Sequence, residues 1–195
     1  MMDLERRSYK ECRIEGDGRR MTGYAIRFNV PSVDLGGFIE EIAPEAVDRA
    51  LTEASDVRAL ANHDAAKILG RTRAGTLDLR KDRRGLQVTI EPDPQISYAA
   101  DLLRSVQRGD ISGMSFGFRT LADAWNFEGQ MPLRTVTDMQ LYEVSVVSFP
   151  AYPQTDISVA MRSLHEYEQA HGLRRLEFWR RWHKTQLAKW GIVGV

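Results

Sequence analysis

Alternation of large apolar residues with small or polar ones divides most of the chain into short β-strands. The clearest case is residues 113–119, where methionine and phenylalanine alternate with glycine and serine. Successive side chains of a strand point to opposite faces, so one face is predicted to pack on the core. The other face carries the hydroxyl of Ser115 between two glycines, which indicates a close approach to the backbone there and predicts an exposed serine in a cleared groove.

Similar patterns predict strands and two helices along the rest of the body. The predicted strands cover residues 9–14, 21–29, 38–42, 57–61, 68–73, 76–79, 85–91, 133–137 and 139–149. Apolar residues at a helical period predict one helix after Pro44 and another from a Ser97 N-cap to Gly109. Residues 122–131 are predicted to form a hairpin loop. Many short strands with peripheral helices predict an α+β, mainly β fold, built on a barrel or closed sheet.

The pattern becomes helical after residue 157, so we predict a body at 1–157 and a helical extension at 158–195. Residues 174–189 of the extension are strongly basic and carry interleaved tryptophans. An amphipathic docking helix is favoured over nucleic-acid binding, because the whole chain has equal numbers of basic and acidic residues, 27 each. A tether that is removed by self-cleavage is a third interpretation.

Composition excludes several classes of protein. The chain has 195 residues and one cysteine, Cys12, which excludes an intramolecular disulfide, argues against zinc or redox clusters and is interpreted as a small buried hydrophobe. There is no apolar run of about 18 residues and no secretory signal, so neither a membrane span nor export is expected. No glycine-rich phosphate loop or HExxH motif is present, and no cofactor or metal is expected.

The candidate chemistry is nucleophilic catalysis by Ser115. A serine hydroxyl needs a base, and His63 is the histidine that lies in the strand-rich body, since the other three lie in the extension. From the pattern alone, a solvent-facing edge strand and a simple turn histidine remain the alternatives for these two residues.

A third group is expected to orient the base. Glu143 is the candidate, because it interrupts an apolar strand, where a carboxylate is costly to bury unless it is paired. Asp64 is the rival, although it neighbours His63 in sequence and would point to the opposite face. Arg119, Arg71 and backbone amides near Ser115 are candidates for the oxyanion-binding donors; surface or structural ion pairs are the alternative roles for the arginines.

An ordered set of short stretches is similar to one known family, the prohead serine proteases of tailed bacteriophages. These stretches lie at residues 23–28, 38–46, 62–64, 69–72, 75–77, 108–118 and 141–152, within a resemblance that covers roughly residues 20–157. Position 45 is glutamate where the family often has glycine.

The resemblance implies an assemblin-like small β-barrel surrounded by helices, with a histidine–serine pair at His63 and Ser115 and a third member placed at Glu143. It also implies a serine endopeptidase that cleaves capsid and scaffold proteins, and itself, inside an immature capsid in the host bacterial cytoplasm. Self-association as a dimer is a further expectation. The alternative is a catalytically inactive capsid-assembly or scaffold protein with the same fold.

Overall fold

A computed structural model describes residues 4–8, 14–16, 19–52, 55–148 and 158–170. Cys12, most of the predicted strand at 9–14 and the basic segment at 174–189 lie outside these ranges. The strands are β1 (Glu5–Arg7), β2 (Ile14–Gly16), β3 (Met21–Arg27), β4 (Ile39–Ile42), β5 (Arg58–Ala61), β6 (Asp64–Arg71), β7 (Leu77–Lys81), β8 (Gly85–Ile90), β9 (Gly113–Asn126) and β10 (Leu133–Val147).

The first sheet is organised around β10 and has the order β1-β9-β10-β5-β6. The long β9 and β10 form an antiparallel hairpin, and the other edge of β10 is shared between two parallel partners. Its first half pairs with β4 and its second half with β5. The strand that carries Ser115 therefore lies between β1 and β10, and β10 alone separates it from the hairpin of β5 and β6.

The second sheet has the order β2-β3-β8-β7 and contains the predicted hairpin of β7 and β8. An isolated parallel bridge between Phe28 and Ile42 joins it to the first sheet. The mainly β prediction is confirmed, but no closed barrel is found among the described residues. In the described residues both sheets are open: β1 and β6 end the first, which β4 joins as a side branch on β10, and β2 and β7 end the second.

Helices lie at the periphery, as predicted. Helix α1 (Ser97–Gln107) starts one residue after its cap, because Ile96 and not Ser97 is the N-cap. Gly109 follows at a φ of 80°, a left-handed conformation that suits glycine at a helix end. The segment Pro44–Leu51 forms a 3₁₀ helix, and helix α2 covers Ser158–Ala170.

Two apolar clusters form the core. The larger joins both sheets and α1 and includes Met114, Phe116 and Phe118, which confirms the predicted core face of β9. The smaller cluster holds α2 against the body through Phe38 and Trp125. Trp125 lies on β9, which continues to Asn126, so the prediction of a loop over 122–131 is wrong for its first half. The cause is the tryptophan itself, whose burial under α2 favours strand there.

A buried network of charges joins β1 to the rest of the first sheet. Arg134 on β10 is fully buried and donates to Glu5 and Glu40, each at 2.8 Å, and to Asp123 at 2.7 Å. Arg7 donates to the same two glutamates, at 2.8 Å to Glu5 and at 2.8 and 3.3 Å to Glu40. Burial opposes the charge of Arg134, but the carboxylates of Glu40 and Glu5 outweigh this and raise its pKa above the usual value.

Candidate active site

His63 lies on the tight turn between β5 and β6. Ala61 and Asp64 pair across this hairpin, so Asn62 and His63 are its two loop residues. Both have positive φ, 49° and 61°, as a two-residue hairpin turn of the primed type requires. The Asn62 side chain accepts a hydrogen bond from the backbone N–H of Ser148 at 2.9 Å, which ties the turn to the end of β10.

The partner of His63 is carried by the hairpin of β9 and β10. Glu143 lies opposite Gly117 in the register of this hairpin, and Ser145 lies opposite Ser115. Directly opposed residues of an antiparallel pair point to the same face. These four positions therefore form one small polar patch on the sheet, and Glu143 and both serines are buried.

The Glu143 carboxylate binds two groups at once. His63 Nδ1 lies 2.6 Å from its Oε1 atom, and the Ser145 hydroxyl donates to its Oε2 atom at 2.5 Å. A Cβ atom on Gly117 would lie 2.5 Å from Oε1, so glycine leaves the space that the carboxylate occupies. The expectation of a close approach to this glycine-bordered strand is confirmed, and the approaching group is the side chain of Glu143.

This contact fixes the tautomer of the imidazole. A carboxylate accepts hydrogen bonds, so Nδ1 of His63 carries the proton and Nε2 of the neutral ring carries the lone pair. Nε2 is buried and has no hydrogen-bond partner within the described ranges of the chain. The ring can therefore accept a proton at Nε2 while Glu143 holds the opposite nitrogen.

Ser115 differs from the sequence prediction in its exposure. Its side chain is fully buried, and its hydroxyl donates to the backbone carbonyl of Arg7 at 2.9 Å. The predicted exposure of Ser115 is wrong, because β1 pairs with β9 as far as Arg7 and Phe116 and places the Arg7 carbonyl within reach of the Ser115 hydroxyl. In this arrangement, the hydroxyl bonds to β1 and not to His63.

The rival third member, Asp64, is engaged elsewhere. Its Oδ1 atom accepts from the backbone N–H of Ala66 at 2.9 Å, and Oδ2 lies 3.3 Å from Lys67 Nζ. These two bonds, with the Ala66 amide contributing most, lower the pKa of the Asp64 carboxyl. The structure therefore pairs His63 with Glu143, and Asp64 stabilises the start of β6.

The two candidate oxyanion arginines also bond to other groups. Arg71 donates to both carboxylate oxygens of Asp56, at 2.7 and 2.8 Å. Arg119 is exposed and donates to the Gln140 side chain at 3.0 Å. Neither bond involves His63, Ser115 or Glu143, so an oxyanion role for these arginines stays a prediction, as does one for backbone amides near Ser115.

Sequence reasoning missed Ser145. The signal was present, because Ser145 follows Glu143 by two residues in an apolar strand and must share its face. Within the described ranges, no group of three or more His, Cys, Asp and Glu side chains is arranged to hold a metal ion. No helix in the same ranges is long and apolar enough to cross a membrane.

Comparison with known proteins identifies the family of the chain. The model of the caudovirus prohead serine protease family matches residues 4–170. The chain belongs to this family. It is also similar to the prohead protease of Enterobacteria phage HK97, with 34% identity over 191 residues that cover 95% of this chain and 78% of that protein. No solved structure gives a significant match.

Membership makes the chain a serine peptidase of a family that matures phage capsids. The family match includes β1 and α2 as well as the strands around His63 and Ser115. The buried charge network and the polar patch thus both lie within the matched region. The division of this peptidase into a body at 1–157 and an extension at 158–195 stays a prediction.

Proposed function

We propose that this peptidase cleaves capsid and scaffold proteins, and itself, with Ser115 as the nucleophile, His63 as the general base and Glu143 as the group that orients His63. The observation that carries the proposal is the 2.6 Å contact between His63 Nδ1 and Glu143, on the strand pair that also carries Ser115. A buried Nε2 atom without a partner among the described residues gives the base a free lone pair.

The first half of the reaction forms an acyl-enzyme. The Ser115 hydroxyl leaves the Arg7 carbonyl and gives its proton to His63 Nε2, while its oxygen bonds to the carbonyl carbon of the scissile peptide. Glu143 stabilises the positive charge that develops on the imidazole. The tetrahedral intermediate then collapses, and the peptide C–N bond breaks as Nε2 returns the proton to the leaving nitrogen.

The second half releases the product. Water gives a proton to His63 Nε2 as its oxygen bonds to the acyl carbon, and the bond to the Ser115 oxygen then breaks. The proton returns to that oxygen, which restores the enzyme and frees a carboxylic acid. Each half of the reaction passes through a tetrahedral intermediate with a negatively charged oxygen. Arg119, Arg71 or backbone amides near Ser115 are the proposed hydrogen-bond donors to this oxygen.

Capsid and scaffold proteins are the proposed substrates because the family and the HK97 relative are named for the prohead. The proposed place of action is the interior of the immature capsid, in the cytoplasm of the host bacterium. We extend the proposal to a dimer and, without the closed barrel, to the assemblin-like arrangement of sheets and helices that the family resemblance implies. We propose no nucleic-acid partner for the described residues.

The test is co-expression of the full chain with its capsid and scaffold proteins, read by intact-mass spectrometry. We expect truncated products with the wild type and full-length partners with Ser115→Ala. His63→Ala is expected to lose cleavage as well, because no base would remain, and Glu143→Ala to lower it at least tenfold. Ser105→Ala is the matched control, since the Ser105 hydroxyl lies at the surface of α1 and donates to the backbone carbonyl of Asp101 in the same helix.

Two results would contradict the proposal as a whole. Cleavage that persists with Ser115→Ala would move the nucleophile elsewhere. Full-length partners with both the wild type and Ser115→Ala, when those partners are soluble and still assemble, would favour an assembly protein without activity. Full cleavage with Glu143→Ala would remove the role of that residue alone.

A further inference from the structure

The Ser145 side chain is fully buried in the polar patch, and its function is not explained by the proposed triad. Its hydroxyl donates to Oε2 of Glu143 at 2.5 Å, while His63 uses Oε1. A buried hydroxyl requires a partner, but a partner on the backbone would satisfy it equally well. Because its partner is the Glu143 carboxylate, Ser145 is connected through that carboxylate to the base, His63.

The orientation of the Glu143 carboxylate depends on its contacts with His63, Ser145 and Gly117. Glutamate has three side-chain torsions, and the last one is soft, so a single contact to His63 would allow the carboxylate plane to turn. Ser145 holds the second oxygen from the same strand, and Gly117 supplies a wall without a side chain against the first. Together the two residues fix both the position and the plane of the carboxylate.

We infer that Ser145 is a positioning residue of this peptidase, which acts through Glu143 to hold the His63 ring with its Nε2 lone pair ready for the nucleophile. The inference rests on the proposed function of His63 and Glu143. Ser145 contacts no reacting atom in this assignment. Its loss should slow chemistry without weakening substrate binding, because the effect passes through the orientation of the base.

The experiment measures covalent labelling of the full chain by a fluorophosphonate probe. In that reaction the serine oxygen bonds to phosphorus, fluoride leaves, and the hydroxyl proton passes to the base. Intact mass gives the labelling rate at each probe concentration, and peptide mapping locates the label. The maximal rate constant and the half-saturating probe concentration are then obtained separately.

Ser145→Ala is expected to lower the maximal rate constant roughly tenfold, as for loss of a hydrogen bond to a charged group, and to leave half-saturation within about twofold. Ser145→Thr keeps the hydroxyl and should restore most of the rate. Ser145→Cys keeps the volume but is a weak donor, so it should resemble Ala. Ser163→Ala is the matched control, since its hydroxyl also donates to a carboxylate, that of Asp123 at 2.7 Å.

A wild-type rate in Ser145→Ala would overturn the inference, and so would full rescue by Cys, which would mean that Ser145 only fills space. Because the Thr variant carries an extra buried methyl group, its folding is checked by circular dichroism. Proton NMR of the His63 Nδ1–H gives a second readout. Its downfield resonance should move upfield in Ser145→Ala, and an unchanged resonance would also overturn the inference.

The same data separate this inference from the proposed function. A label that is absent from Ser115 in the wild type, with the NMR shift still seen in Ser145→Ala, would count against Ser115 as the nucleophile and support the positioning role. A label on Ser145 itself would overturn both assignments. Labelling of Ser115 at equal rates in the wild type and Ser145→Ala would leave the proposed function intact and remove only the positioning role.

Discussion

At the scale of single residues, the candidate site depends on a glycine, Gly117, at a position where any side chain would be too large. Gly117 lies directly opposite Glu143, and its lack of a Cβ atom lets the carboxylate lie against the backbone of β9. The φ of this glycine is not in the left-handed region, so space and not backbone conformation selects glycine here. The glycine is therefore part of the arrangement that holds Glu143 on His63.

Gly117→Ala is expected to lower activity by about a hundredfold or more, because the new Cβ would lie 2.5 Å from Glu143 Oε1 and must displace it. The measurement is the rate of fluorophosphonate labelling, with circular dichroism to check the fold. Gly129→Ala is the control, since a Cβ there meets its nearest atom at an ordinary 3.4 Å. Equal rates for Gly117→Ala and the wild type would show that the carboxylate has another stable position.

The sequence predicted the pairing of His63 with Glu143 for a physical reason that holds in the structure. A carboxylate within an apolar strand must be paired when it is buried. His63 is the one histidine of the sequence that lies between residues 1 and 157, so it was the expected partner. The hydrogen bond of the Ser115 hydroxyl could not be predicted in the same way. It depends on the carbonyl of Arg7, and β1 has no apolar alternation that would reveal its place beside β9.

At the scale of elements, β1 is held by charge where most strands are held by apolar contacts. Glu5 and Arg7 point inward and are buried, and Arg134 on β10 and Glu40 on β4 complete the network. A signal existed in residues 38–42, where Glu40 alternates in phase with Phe38 and Ile42 and must share their buried face. The partners of Glu40 could not be read from the sequence, because they come from distant strands.

Arg134→Met is expected to destabilise the protein by about 3–5 kcal/mol, because it leaves the Glu5 and Glu40 carboxylates buried with less compensation. Chemical denaturation of the wild type and the variant measures the change. Arg80→Met, at an exposed pair with Asp78, should cost less than about 1 kcal/mol. Similar midpoints for Arg134→Met and Arg80→Met would mean that water reaches the network and screens it.

At the scale of the whole molecule, two sheets share one core where the sequence pattern predicted a closed barrel. Strand alternation shows which face of a strand is buried, but it carries no information about which edges pair. The decisive feature is β10, whose second edge is divided between β4 and β5. A strand with two successive partners on one edge cannot be recognised from its own residues.

The stability of the fold is expected to depend on pH through Asp56, which lies before β5 and pairs with Arg71 at the end of β6. The hydrogen bonds from Arg71, aided by Arg58 and opposed by partial burial, lower the pKa of Asp56 from 3.8 to about 2. A lowered pKa means that this carboxylate stabilises the fold fully above its unfolded value and loses that contribution as the pH falls towards 2.

Asp56→Asn is therefore expected to lower the melting temperature at pH 5 and to have a shrinking effect between pH 4 and pH 2, as the wild type loses the same charge. Thermal melts of the two proteins across this range measure the difference. Glu128→Gln, at an exposed carboxylate of the β9–β10 turn, is the control. A difference that stays constant down to pH 2 would contradict the assignment to Asp56.

The hydrogen bond from Ser115 to the Arg7 carbonyl has a consequence for timing. With Ser115 as the nucleophile, the conformer described here is a resting one, and only molecules whose serine has rotated towards His63 can react. Each 1.4 kcal/mol that separates the two rotamers changes the reactive fraction about tenfold. The onset of proteolysis would then be governed by an equilibrium at one side chain, which any shift of β1 can tilt.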